Sequence, residues 1–198
     1  MDETRGTRGR LLTGVVVVGA GAVGAGLVAG LPDYTAAASA AQDADILNFA
    51  LGLEEVEAAL FTAAARRGAL DGELAQFARV VAAHERAHVA FLRRTLGGKA
   101  RPRPPVHLGD TPDDPQLFVR TAIVLEDAAV AAYNGQGPNL TRTALRLAAP
   151  IVSVEARHAA WIRDIGGRLP APVAADRPDT IQQVTAVLAQ TGLLTDGG

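Results

Sequence analysis

The sequence predicts an all-α fold, a four-helix bundle with one long crossover between helices 2 and 3, plus a short C-terminal helix. Three observations carry that expectation. Apolar residues recur at helical spacing over four long runs, and no alternating strand pattern of useful length interrupts them. Glycine and proline fall between the runs, where a helix has to stop. The third and fourth runs also carry the same order of glutamate and histidine as the first and second, at a similar interval.

The first run extends from Asp43 to Arg67 without an internal proline, and Gly68 ends it. Asp71 stands where a second helix needs an N-cap, and that helix runs from Glu73 to Leu96, closed by Gly97 and Gly98. Asp113 or Asp114 caps a third run, with Pro115 in its first turn, reaching Tyr133 before "NGQGP". Pro138 or Asn139 opens the fourth, which reaches Ile165 and ends at Gly166 and Gly167. Pro150 lies inside it and is expected to kink it. After "RLPAPVAADRPD" a short helix is expected from Thr180 to Ala189.

The four long helices thus form two pairs, each with a short turn, joined by "GGKARPRPPVHLGDTPDDP". Its prolines forbid helix. Extended, such a segment reaches roughly 50 Å or more, while a helix of about 25 residues is about 38 Å long. The linker can therefore run the length of the bundle, which is the one-crossover arrangement.

The stretch "VVAAHERAHVAFLRR" holds His84-Glu85-Arg86-Ala87-His88. Taken whole it is H-E-x-x-H, a zinc protease signature. Without its first histidine it is E-x-x-H, half of a two-metal carboxylate site. The repeat decides between them. "HERAHVAFL" aligns with "VEARHAAWI", placing Glu85 on Glu155, His88 on His158, Phe91 on Trp161 and Leu92 on Ile162. "LEEVEAALF" aligns with "LEDAAVAAY", placing Glu54 on Glu126 and Phe61 on Tyr133. His84 falls on Val154 and is not part of what repeats.

Residues three, four or seven apart share a helix face. Val81, Glu85, His88 and Leu92 form one stripe, and Ile151, Glu155, His158 and Ile162 another. Leu47, Glu54 and Phe61 line up on the first helix, as do Val119, Glu126 and Tyr133 on the third. Each stripe turns an apolar face inward with ionisable groups at its middle. Unpaired buried carboxylates cost several kcal/mol or shift until neutral, and four of them together repel. Two divalent cations balance four carboxylates. One histidine on each adds a neutral nitrogen, a mixed donor set that suits iron or manganese. The order of ligands matches the general rule for di-iron and di-manganese bundles. The candidate ligands are Glu54, Glu85, His88, Glu126, Glu155 and His158, and the expected cofactor is two Fe or Mn ions.

With these residues the chain resembles the ferritin-like superfamily. "LNFALGLEEVEAALF", "HERAHVAFL" and "VEARHAAWIR" resemble the bacterial ferritin-like domain family that includes desiccation-related proteins and often carries export signals. The resemblance spans Asp43 to about Ile165. It implies a ferritin-like bundle in which Glu54 and Glu126 are terminal or bridging ligands and the two E-x-x-H pairs complete the site. Related members oxidise and store iron, reduce peroxide or dismutate it on manganese. The implied function is a dinuclear non-haem redox protein acting on O₂, peroxide or Fe(II). The alternatives are a non-catalytic stress or envelope protein stapled by its metals, and a zinc protease using His84, His88 and Glu85. The last lacks a third ligand of its own and leaves Glu155 and His158 unexplained.

Around the ligands, Glu55 is expected in solvent and Glu57 in a partly exposed position, with a role at the site as the alternative. His84 is read as a polar neighbour of the site and His107 as solvated. Tyr133 and Trp161 are read as core, with electron transfer as the alternative. Arg86, Arg157 and Arg163 are assigned to the surface or to support of the ligands. Asp127 is a candidate acceptor for a histidine N–H.

Residues 1–40 have a different character. Arg5, Arg8 and Arg10 precede an uncharged run from Leu11 to Gly30, followed by a small-residue stretch with an A-x-A site at Ala38-Ser39-Ala40. This layout describes an export signal, and the run is about long enough to remain as a membrane anchor. Thr7-Arg8-Gly9-Arg10-Leu11-Leu12 resembles a twin-arginine signal with Gly9 in place of the second arginine. The expected organisation is 1–40 signal or anchor, 41–167 bundle and 168–198 C-terminal extension, in a chain exported to the cell envelope or secreted. The expected partners are a small-molecule oxidant or a metal ion. A net charge of −2 offers no basic field for nucleic acid. The absence of cysteine excludes disulfides, thiolate metal sites and cysteine nucleophiles.

Overall fold

The computed structural model describes residues 38–194. The export or anchor segment expected in 1–40 lies almost wholly outside the described residues. Four long helices follow, α1 (Ala40–Arg67), α2 (Gly72–Leu96), α3 (Pro115–Gln136) and α4 (Arg142–Ile165), then a short α5 (Ile181–Gln190). This is the all-helical bundle expected, and no helix among the described residues is long and apolar enough to cross a membrane.

The helix ends follow capping chemistry. Ser39 caps α1 through Gln42 N–H, so the helix starts ahead of Asp43. Asp114 accepts from Gln116 and Leu117 N–H at the start of α3, with Pro115 in the first turn. Asp71 precedes α2 but its side chain makes no cap bond. Pro138 and Asn139 do not open α4; they lie in a 3-10 turn, Gly137–Asn139, and Thr141 caps the helix through Ala144 N–H. Thr180 and Gln183 form a reciprocal capping box on α5. α4 runs unbroken through Pro150, which stands on its exposed face, where water can satisfy the carbonyl left without its donor.

Side-chain ties show the path of the crossover. At one end Arg101 N–H donates to Asn48 and the Arg101 guanidinium pairs with Asp45, both in the opening turns of α1. At the other end Asp113 pairs with Arg67, the last residue of α1. The linker therefore runs the length of α1, as its reach requires. Thr141 bonds Asp43 through both its N–H and its hydroxyl, which places the starts of α1 and α4 together. The crossover is also tied to the C-terminal segment, with a bridge between Val106 and Leu194 and a bond from His107 N–H to Leu193.

The core has two apolar clusters. One includes Leu60, Phe61, Phe77, Val81, Phe118 and Ile162. Its rings meet edge to face, Phe61 with Phe77 at 5.7 Å and with Phe118 at 5.8 Å, and Phe77 with Trp161 at 5.2 Å. The other includes Leu47, Leu51, Leu92, Tyr133 and Ile151. In α2 and α4 a glutamate, Glu85 and Glu155, lies in sequence between the residues of the two clusters, near the helix midpoint.

Candidate metal centre

Each bundle helix holds the glutamate of its repeat position at 0% exposure: Glu54 from α1, Glu85 from α2, Glu126 from α3 and Glu155 from α4. The i, i+3 spacing brings His88 onto the face of Glu85 and His158 onto that of Glu155. His88 Nδ1 lies 3.0 Å from Glu155 Oε1, 3.1 Å from Glu54 Oε2 and 3.2 Å from Glu85 Oε2. His158 Nδ1 lies 3.1 Å from Glu85 Oε1, 3.5 Å from Glu126 Oε2 and 3.7 Å from Glu155 Oε2.

These atoms form two overlapping groups. Glu54, Glu85, His88 and Glu155 make one; Glu85, Glu126, Glu155 and His158 make the other. Within each group the ligand atoms all lie within 4.8 Å of one another. Glu85 and Glu155 belong to both. All six residues singled out by the repeat are thus brought together, and His84 belongs to neither group.

The donor set fits a cation. Glu85 Oε1, both oxygens of Glu126, both of Glu155 and His158 Nδ1 are buried without an aligned hydrogen bond, although they lie close together. Buried polar atoms of a folded protein nearly always have a partner. Here the lone pairs converge on shared space rather than on one another, as ligand atoms do around an ion.

The electrostatics of the protein alone carry the same strain. Burial, then the charge of Glu155, pushes Glu54 well above the usual carboxylate range. Burial also pushes Glu126 up, against the contact with His158. Glu85 goes the other way: burial opposes its charge, but the His158 and His88 contacts hold it at about 2. Burial opposes protonation of His88, yet Glu155, Glu54 and Glu85 raise it to about 12. His158 is likewise raised to about 12 against its burial, by Glu126, Glu155 and Glu85. Protons on two histidines and on part of the carboxylates thus offset the charge that metal ions would otherwise balance.

The surroundings depart from expectation in four places. Glu57 is buried, not partly exposed; neither oxygen has a partner, and burial followed by the charge of Glu126 raises it far above its usual value. Glu55 is buried rather than solvated and pairs with Arg93. Asp127 meets no histidine; its partner is Arg163 at 2.6 Å. Tyr133 does more than pack, donating its hydroxyl to Glu54 Oε1 at 2.6 Å. The spacing of Glu57, three residues from Glu54, was the signal available for the first of these. Trp161 packs on Phe77 and donates its indole N–H to Glu73 at 2.7 Å. Arg86 is exposed and donates to Thr62, and the His107 side chain is exposed.

His84, beside the site as expected, has its Nδ1 2.8 Å from His158 Nε2. Partial burial, then the neighbouring His158, lowers its affinity for a proton. A cavity of about 410 Å³ opens between α2 and α4, lined by Val80, His84, Ala87, His88, Val154, Arg157, His158 and Trp161. It gives the centre a way to solvent past His88, whose side chain is 12% exposed against 3% for His158.

No curated protein matches the chain. The family model described as the ferritin-like domain matches residues 42–168, a stretch that takes in the bundle and every residue of the centre, and the chain therefore belongs to the ferritin-like domain family.

Proposed function

We propose that the chain is a dinuclear non-haem protein, binding two iron or manganese ions and carrying out redox chemistry on O₂ or peroxide, or the oxidation of Fe(II). The observation that carries this reading is the pair of four-residue groups sharing Glu85 and Glu155. Two overlapping sets with two common carboxylates suit two adjacent cations bridged by those carboxylates. Glu54 and His88 would then complete one ion's ligands, and Glu126 and His158 the other's. Ions of this kind supply Lewis acidity and electrons to a bound oxidant.

The chain's own residues serve that chemistry by position. Tyr133 anchors Glu54 by a hydrogen bond to one oxygen and leaves the other facing His88. His88 borders the cavity, so a small molecule entering between α2 and α4 meets this side of the centre first. The apolar clusters hold the four helices in place and limit water at the centre.

Elemental analysis of protein purified without chelator tests the reading, followed by assays of O₂, H₂O₂ and Fe(II) consumption. Two Fe or Mn ions per chain are expected. One zinc held at His84 and His88, with Glu126 and Glu155 idle, would sink it. Two ions with no turnover of any of the three substrates would leave the metals a staple. We also place the protein in the cell envelope or outside it, on the charged, apolar and small-residue layout of residues 1–40. N-terminal sequencing and fractionation of the native protein check this: a cytoplasmic chain that keeps Met1 refutes it.

A further inference from the structure

The centre is built from a repeat, but its two histidines have different neighbours. His84 occupies the position that Val154 holds in the other half. Four features tie His84 to His158. Their nearest nitrogens are 2.8 Å apart. The ring planes differ by 17° with centroids 5.1 Å apart, the separation of two imidazoles joined edge to edge by one N···N bond rather than of rings in face contact. The other nitrogen of His158 is the one that faces Glu85, Glu126 and Glu155. His84 is itself exposed, on the wall of the cavity between α2 and α4, so it can be replaced without opening the core.

We infer that His84 is a positioning residue for one half of the centre: it accepts the Nε2–H of His158 and so fixes the ring and tautomer that present Nδ1 to a metal. This rests on the dinuclear reading above. Imidazole binds a metal through a nitrogen without a proton, so a ring that coordinates through Nδ1 must carry its proton on Nε2 and needs an acceptor there. His84 Nδ1 is that acceptor. His88 has Val154 at the equivalent place, and valine accepts nothing. The two halves are therefore unequal: both histidines border the cavity, but His158 has an acceptor behind its ring and is 3% exposed, and His88 has none and is 12% exposed. The first ion bound is held by Glu126 and His158 with the shared carboxylates; the second, weaker one lies on the side of Glu54 and His88.

The test is a Mn²⁺ titration of the full chain, with competing chelator, for wild type, His84→Ala and His84→Asn. Asparagine carries its side-chain oxygen where histidine carries Nδ1, so it keeps an acceptor in place. The tighter constant should weaken about 10- to 100-fold in His84→Ala, with the weaker one unchanged, and His84→Asn should restore most of the loss. A second readout needs no metal. The His158 Nε2–H resonance of the metal-free protein should be protected from solvent exchange in wild type and His84→Asn and exposed in His84→Ala. The inference fails if both constants are unchanged in His84→Ala, or if His84→Asn falls with it. It also fails if the Nε2–H is equally protected in all three. Wild type that binds no Mn²⁺ or other divalent ion would refute the dinuclear reading instead, and the resonance would still report whether His84 holds the ring.

Discussion

Tyr133 donates to Glu54 from a buried position at the edge of one apolar cluster. Tyr133→Phe keeps the ring and its packing but removes a donor from a carboxyl that has no water to turn to. The cost expected is about 1–3 kcal/mol, read by denaturant unfolding of the metal-free protein. An unchanged midpoint would mean that Glu54 finds another partner. Glu57 predicts the opposite sign. Its carboxyl is raised by burial and by the charges around it, it has no partner, and it belongs to neither ligand group. Glu57→Gln keeps the shape and removes the titration. It should stabilise the metal-free protein at neutral pH by about 1 kcal/mol and leave metal uptake in place. Loss of metal in that variant would make Glu57 a ligand. The contrast between Glu54 and Glu57 also shows what a sequence can disclose. Glu54 was readable because a second copy, Glu126, repeats its place; Glu57 falls opposite Ala129, so the repeat says nothing about it.

At the scale of elements, the helices and their order could be read from spacing and punctuation, but the burial of α1 could not. Leu53, Glu54, Glu55, Val56 and Glu57 are all buried in succession, more than one face of a helix supplies. Glu57 faces the carboxylates of the centre and Glu55 is paired with Arg93 of α2, while Arg103 of the crossover, which is pinned along α1 at Arg101 and Asp113, lines the same cavity as Glu55. A proline-rich linker carries no periodicity that could announce where it lies. The docking of the C-terminal extension was equally silent, and it hangs on one glycine. A Cβ at Gly135 of α3 would stand 1.9 Å from the Asp179 carbonyl oxygen, where Asp179 N–H bonds Ala131 at 3.0 Å. Gly135→Ala must push that backbone away and with it the segment leading into α5. A loss of about 3 kcal/mol is expected, with faster proteolysis between 168 and 181. Wild-type resistance to proteolysis in this variant would show that the extension is held by α5 alone.

For the whole molecule, the buried centre links stability to pH with a definite sign. Glu54, Glu57 and Glu126 are raised above their ordinary 4.5, so above that pH the unfolded chain has released protons that the folded metal-free protein retains. Stability then falls as pH rises. His88 and His158 act in the same direction from 6.5 upward, because the folded protein holds their protons to about 12. Glu85 acts the other way between its folded value of about 2 and its ordinary 4.5, and so does His84 below its ordinary 6.5, because partial burial and then His158 lower its affinity for a proton. The metal-free protein should therefore lose thermal stability from about pH 5 through 8. Metal ions reverse the requirement. They need ionised carboxylates and Nδ1 atoms without protons, so binding releases protons and tightens as pH rises. The difference in Tm between Mn²⁺-loaded and chelator-treated protein should widen with pH, and loading in weak buffer should acidify the solution. A gap that narrows with pH would mean that the proton inventory of the centre is different. Helical circular dichroism should persist through chelation, since Phe61, Phe77 and Phe118 in one cluster and Leu47, Leu92 and Ile151 in the other pack without any metal between them. The metal then tunes the stability of a bundle that its apolar ends already assemble, which is why the linkage is measurable on folded protein at all.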